Sequence, residues 1–92
     1  MHYMYVIKDL NKDVYFYIGY SSDLRKRIES HNQGLNKSTK HTQWSLVYYE
    51  AYLTQNAAMK REHSLKKNKR MRTLLLDRIK SSIEPFSGEG SS

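Results

Sequence analysis

The chain has 92 residues, 38% of them hydrophobic, which is enough for one domain with a single modest core and too few for two. It carries 16 Lys and Arg against 9 Asp and Glu, a formal net charge of +7 that favours polyanionic partners such as nucleic acid. Cysteine is absent from the sequence, so disulfides, thiolate metal sites and a cysteine nucleophile are excluded.

The sequence also bears on location. No stretch approaches the roughly 18 apolar residues that a membrane span needs, and no basic leader precedes the first apolar run. These features predict a cytoplasmic protein with no membrane partner.

The first two predicted elements form a hairpin. Residues 3–8 and 14–20 are rich in Tyr, Val, Ile and Phe, and the Asn and Asp between them favour a turn. Side chains alternate along a strand, so one face carries Tyr3, Tyr5 and Ile7 on the first strand and Tyr15, Tyr17 and Gly19 on the second. Since both faces of each strand are apolar or aromatic, we expect the sheet to be covered on two sides.

A helix is predicted over residues 22–32, where a serine can cap the start and Asp23 meets the positive end. Leu24 and Ile28 lie four residues apart and would face the core, with Arg27 and His31 as a second such pair beside them. A polar loop over residues 33–42 and a third strand over residues 44–52 are expected to follow.

Two further helices complete the predicted domain. Thr54 can cap a helix that runs to about Lys67, and Asn68 is a plausible break. The third helix should bury an apolar stripe formed by Met71, Leu74, Leu75 and Ile79. The predicted fold is α+β in the order β-β-α-β-α-α, with a small mixed or antiparallel three-stranded sheet flanked by three helices. The domain would span residues 1–80, and residues 81–92 would form a flexible tail.

Glu62 is the most informative anomaly in the helical pattern. On a helix it shares a stripe with Ala58 and Leu65, so its carboxylate points along a face that should pack inward. A buried carboxylate without a partner costs several kcal/mol, so it should be paired, hydrogen-bonded or bound to a cation. Either a salt bridge to a neighbouring Lys or Arg or a role as a metal ligand would satisfy it.

The sequence contains eight tyrosines, most of which should be packing residues of the strands. Tyr5 and Tyr17 differ because a simple hairpin register brings them to the same sheet face, close to one another. Two phenols, an Arg and a carboxylate are groups from which a phosphodiester cleavage site can be built.

These residues resemble the GIY-YIG nuclease family. Tyr17-Ile18-Gly19 matches the second half of its signature, and Tyr3-Met4-Tyr5 stands in the place of the first half, with Tyr and Met replacing its glycine and isoleucine. The segment from Ser22 to Asn32 resembles the helix that follows this signature in the family. Arg27 stands at the family's essential arginine and His31 at its recurrent histidine.

The resemblance continues through residues 46–50 and 57–67, which are similar to the third strand and metal-ligand helix of the small stand-alone branch. It implies a metal-dependent DNA endonuclease that binds Mg²⁺ or Mn²⁺ through Glu62 and needs no small-molecule cofactor. It also implies that Arg27 contacts the scissile phosphate, that Tyr17 acts as the base with Tyr5 positioning water or phosphate, and that His31 assists proton transfer or binds phosphate.

Basic residues outside this site would bind the DNA backbone without reading sequence. The residues predicted for this role are Lys26, Lys60, Arg61, Lys66, Lys67, Lys69 and Arg70, and Arg72 belongs to the same run. Two alternatives stay open: a nucleic-acid-binding module that keeps the fold without cutting, and a basic RNA-associated protein whose tyrosines stack on bases. The oligomeric state also stays open.

Overall fold

A computed structural model describes residues 1–11, 15–34 and 42–83 of the chain. Their order is β1 (His2–Asp9), β2 (Phe16–Ser21), α1 (Leu24–Asn32), β3 (Trp44–Tyr52), α2 (Gln55–Lys67) and α3 (Lys69–Ile83). The predicted α+β class and the order β-β-α-β-α-α are therefore confirmed. Within these ranges, no helix is long and apolar enough to cross a membrane.

The sheet has the strand order β2-β1-β3, and β1 is antiparallel to both neighbours. In the hairpin, Tyr5 lies opposite Gly19 and Ile7 lies opposite Tyr17. Tyr5 and Tyr17 are thus diagonal neighbours on one face, as the alternation predicted. The β1–β3 register shifts between Val6 and Ile7.

The two sheet faces are covered by different helices. One face packs Tyr5, Ile7 and Trp44 against Leu24 and Ile28 of α1. On the other face, the core consists of side chains from β1, β2, α2 and α3, namely Met4, Val6, Ile18, Leu65, Leu75 and Ile79. This arrangement confirms the expectation of a sheet covered on two sides.

The start of α1 differs from the prediction. The helix begins at Leu24, and Asp23 rather than a serine is its N-cap, with a side-chain oxygen that accepts from the Lys26 backbone N–H at 3.1 Å. The Ser21 hydroxyl instead accepts from the Asp23 N–H at 2.9 Å. Asp and Ser are both good caps, so propensity alone did not separate them. At the other end, Gly34 has a φ of 77°, which glycine adopts without strain.

The boundaries of α2 and α3 follow the capping residues. Thr54 caps α2 by accepting from the Ala57 N–H at 3.2 Å, as predicted. Asn68 ends α2, and its side chain accepts from the Met71 N–H at 3.0 Å, which caps the next helix. On α3, Leu74 is 59% exposed, so it lies off the predicted stripe, and Leu76 packs against the core instead.

Strand β2 begins at Phe16 rather than residue 14, and Val14 lies outside the described residues. Residues 35–41 of the predicted loop lie outside them as well. The same holds for residues 84–92 of the predicted tail, whereas residues 81–83 are the last residues of α3.

Candidate active site

Tyr5 and His31 form the buried centre of the site. The Tyr5 hydroxyl lies 2.7 Å from His31 Nε2, and the two side chains come from β1 and α1. Tyr5 is 2% exposed and His31 is 1% exposed. Gly19 makes this placement possible, because a Cβ at that position would overlap the Tyr5 hydroxyl. The glycine of the motif therefore leaves room for the phenol of its partner strand.

Tyr17 lies beside this pair on the edge strand β2 and is only partly buried. Its ring meets the His31 ring edge to face at a centroid distance of 5.2 Å. It also contacts Trp44, with centroids 6.3 Å apart. His31 therefore touches both tyrosines that the sequence selected.

Arg27 acts on this centre through its charge. Burial lowers the pKa of His31, and the neighbouring Arg27 guanidinium lowers it further, so the imidazole is neutral at pH 7. Burial raises the pKa of Tyr5 well above its usual value, and Arg27 opposes that shift while Tyr17 and Glu62 add to it. Tyr5 thus remains a neutral phenol, and Arg27, Tyr17 and Glu62 all lie close enough to influence it.

Glu62 lies on α2 between the fully buried Ala58 and Leu65 of the same helix. Its side chain retains 22% exposure, and its Oε2 lies 2.8 Å from Lys66 Nζ, one helical turn away. The same Lys66 nitrogen sits 5.2 Å from the centroid of the Tyr17 ring. Lys66 therefore links the carboxylate to Tyr17 and so to the cluster of Tyr5, Tyr17 and His31. Of the two alternatives for Glu62, a salt bridge or a metal ligand, the salt bridge is present.

The donor set around Glu62 suits a sparsely held oxygen-loving cation. Across the described ranges, no three His, Cys, Asp or Glu side chains converge into a closed metal site. Mg²⁺ commonly takes only one or two protein carboxylates and completes its shell with water and phosphate oxygens. A part-exposed carboxylate that already attracts an ammonium group fits this kind of site.

The residues predicted to bind DNA fall into two groups. Arg61 is part-buried, with Nε 2.8 Å from Glu50 Oε1, and Arg72 donates to the backbone oxygens of Leu65 and Lys66 at 3.1 and 2.8 Å. Both guanidinium groups thus serve contacts within the protein. The side chains that remain exposed to solvent are Lys26, Lys60, Lys66, Lys67, Lys69 and Arg70.

A polar cluster centred on Glu50 did not emerge from the sequence. Its carboxylate pairs with Arg61 and accepts from the hydroxyls of Tyr48 at 2.7 Å and Tyr52 at 2.6 Å. Burial alone raises the pKa of Glu50, but the hydrogen bonds from Arg61, Tyr52 and Tyr48 outweigh burial and leave it below its usual value. Burial and the bond to Glu50 raise the pKa of Tyr52 to about 12.

The Glu50 cluster attaches α2 to β3 through Arg61, which directly precedes Glu62 on the helix. The signal that could have revealed it is the two-residue spacing of Tyr48, Glu50 and Tyr52, which places these polar groups on one strand face.

Comparisons with known proteins identify the family to which the chain belongs. Residues 1–74 match the family model described as the GIY-YIG catalytic domain. The chain belongs to the GIY-YIG catalytic domain family and has its nuclease-type fold.

Curated relatives include the UPF0213 proteins of Streptococcus pyogenes serotypes M3, M1 and M5. Each is 42% identical to this chain over 71 residues, and each alignment covers 73% of this chain and 73% of the relative. No solved structure matches the chain.

Proposed function

We propose that the protein is a metal-dependent DNA endonuclease that hydrolyses a phosphodiester bond beside Tyr17 and Glu62. The observation that carries the proposal is the meeting of Tyr5, Tyr17 and His31, brought from β1, β2 and α1 into one contact cluster. Glu62 joins this cluster through Lys66. Membership of a nuclease family supports DNA as the substrate.

Arg27 and Glu62 are assigned to the phosphate. Arg27 would donate to the scissile phosphate through its planar guanidinium and offset the charge that grows during attack. Glu62 would hold Mg²⁺ or Mn²⁺ through its carboxylate oxygens. A bound divalent ion supplies Lewis-acid polarisation of the phosphate oxygens.

Tyr17 is assigned as the group that receives the proton of the attacking water, a task that its phenolate form performs. The water oxygen bonds to phosphorus as that proton passes to Tyr17, the bond from phosphorus to the leaving sugar oxygen breaks, and solvent water supplies the proton that the leaving oxygen gains. Tyr17 is partly exposed, whereas Tyr5 is 2% exposed and held by His31. Solvent therefore reaches Tyr17 more readily than Tyr5. The remaining task of Tyr5 and His31 is to fix the cluster and keep a neutral imidazole beside Tyr17.

The exposed basic residues are assigned to the DNA backbone. Lys60, Lys67, Lys69 and Arg70 are exposed on α2 and the start of α3, and Lys26 is exposed on α1. Phosphate contacts of this kind supply affinity that falls with salt concentration. Arg61 is left out of this face because Glu50 holds its guanidinium.

Cleavage by the purified full chain tests the proposal. Labelled single-stranded, duplex, flap and branched DNA would be incubated with Mg²⁺, Mn²⁺ or a chelator. We expect cutting only with metal, and loss of roughly 100-fold or more in rate for Glu62→Gln and for Arg27→Ala. Arg27→Ala should change DNA affinity little. Glu29→Gln is the matched control, since Glu29 is an exposed glutamate on α1.

The outcomes separate the possible roles. Glu62→Gln cutting as fast as the unaltered protein would remove the metal assignment. Tight DNA binding by a folded protein that cuts none of these substrates in either metal would favour the non-catalytic binding module. Unchanged cutting by Arg27→Ala would place that arginine outside the chemistry.

A further inference from the structure

Lys66 occupies a position that the neighbouring lysines do not share. Its ammonium nitrogen lies 2.8 Å from Glu62 Oε2 and 5.2 Å from the centroid of the Tyr17 ring. It therefore contacts the carboxylate that is assigned as the metal ligand and the phenol ring that is assigned as the base. A lysine that only bound the DNA backbone would need neither contact.

We propose that Lys66 is the resident counter-ion of the active site, whose ammonium pairs with Glu62 in the metal-free protein and must leave that carboxylate before a divalent ion binds. This inference rests on the proposed function, since it takes Glu62 as the metal ligand. It assigns to Lys66 a task within the site in addition to any contact with phosphate.

Simple electrostatics sets the two cations in competition for Glu62. An ammonium 2.8 Å from Glu62 Oε2 occupies space that a metal ion would need at that oxygen. If both stayed within about 4 Å of each other, their like charges would repel, and the divalent charge would double the effect expected for two unit charges. Binding of the metal therefore requires movement of Lys66.

The ion pair is suited to such an exchange. The Lys66 side chain is 45% exposed and that of Glu62 is 22% exposed, and part-exposed pairs one helical turn apart are weak. A weak pair keeps the carboxylate oriented without preventing its capture by a stronger cation. The carboxylate is thus held in place in the metal-free protein.

The backbone around Lys66 is anchored, so the exchange can be confined to its side chain. Arg72 of α3 donates to the Lys66 backbone oxygen at 2.8 Å and to that of Leu65 at 3.1 Å. Leu65 itself is fully buried. Once the ammonium leaves Glu62, a DNA phosphate offers it a new partner beside the same site. Metal and DNA would then favour each other's binding.

A titration with Mn²⁺, monitored by NMR, tests this inference and does not depend on measuring DNA cleavage. Paramagnetic broadening of backbone amide signals around Glu62 would be measured for the unaltered full chain, Lys66→Met, Lys66→Arg, Lys67→Met and Glu62→Gln. We expect Lys66→Met to lower the Mn²⁺ concentration for half-broadening by roughly two- to tenfold. Lys66→Arg should stay near the original value.

Lys67→Met is the matched control because it removes the same charge from an exposed neighbour on the same helix. At physiological ionic strength its effect should stay under about twofold, since Lys67 is exposed and salt weakens the interactions of exposed charges. Unchanged or weaker Mn²⁺ binding in Lys66→Met, with broadening abolished in Glu62→Gln, would overturn the counter-ion role while leaving the metal assignment standing. Broadening that survives in Glu62→Gln would overturn both.

Discussion

Replacing Gly19 with alanine is expected to displace the Tyr5 ring and so weaken both the fold and the site. A Cβ at Gly19 would lie 2.9 Å from Tyr5 Cε2 and closer still to the hydroxyl oxygen. Carbon atoms pack best at about 3.5–4.0 Å, so the ring would have to retreat by about 1 Å. Tyr5 is only 2% exposed, so there is no open space to receive it.

The expected size of the effect follows from overpacking a filled core. Such changes cost about 1–3 kcal/mol in the free energy of unfolding. In a domain of this size each kcal/mol corresponds to roughly 4–8 °C in Tm. Urea unfolding followed by the fluorescence of Trp44, which is 3% exposed, measures the loss directly. A misplacement of about 1 Å in the site should also slow DNA cleavage by about 100-fold.

Two controls separate the close contact from a general loss of stability. Gly34→Ala strains a backbone at a φ of 77° without reaching Tyr5, so it should lower stability by about 1–2 kcal/mol and leave cleavage by the folded protein intact. In a Tyr5→Phe background, Gly19→Ala should cost less, because the hydroxyl that the new methyl meets is gone. Stability of Gly19→Ala equal to that of the unaltered protein, or full additivity with Tyr5→Phe, would refute the reasoning.

Two further predictions concern charge. Because burial lowers the pKa of His31 from 6.5, the unfolded chain takes up its proton at a higher pH than the folded protein. Stability should therefore be complete above about pH 6.5 and fall as the pH drops below it, and His31→Gln should flatten that slope in urea unfolding between pH 5 and 8. An unchanged slope in the variant would assign the acid sensitivity to another group. Glu50→Gln should lower the free energy of unfolding by about 1–2 kcal/mol, since Arg61 loses its charged partner, while the exposed Glu29→Gln should stay within about 0.5 kcal/mol. Equal effects in urea unfolding would show that the Glu50 pair adds nothing to stability.

Strand composition and capping residues predicted most of the fold, because both can be read within a single element of the sequence. Strand β3 spans residues 44–52, as its composition predicted, and Thr54 and Asn68 act as the caps that their side chains favour. The start of α1 was placed two residues early because Ser and Asp are nearly equivalent caps. The choice between them depends on the Ser21 hydroxyl, which is already bonded to the Asp23 backbone.

The grouping of the candidate residues was predictable only where the periodicity of a hairpin or a helix supplied the evidence. Strand alternation brought Tyr5 and Tyr17 to one face, and the helical stripe singled out Glu62. The Glu50 cluster escaped notice because Arg61 reaches it from another element, and its partner follows from how α2 lies across β3. The contact of Lys66 with Tyr17 was not predicted for the same reason, since it joins α2 to β2. Contacts between separate elements depend on packing that periodicity does not encode.

The side chain of Asn32 joins α1 to β3 through two hydrogen bonds with the backbone of Trp44. Its amide nitrogen donates to the Trp44 backbone oxygen at 3.1 Å, and its oxygen accepts from the Trp44 N–H at 2.6 Å. This pair of bonds joins the end of α1 to the start of β3, because the Asn32 amide pairs with both the N–H and the C=O of Trp44, as a residue of a neighbouring strand would. Since Asn32 and Trp44 lie on the two elements that the connection joins, a change in the length of that connection is expected to leave these two bonds in place. Tyr5 and His31 would then keep their positions as well.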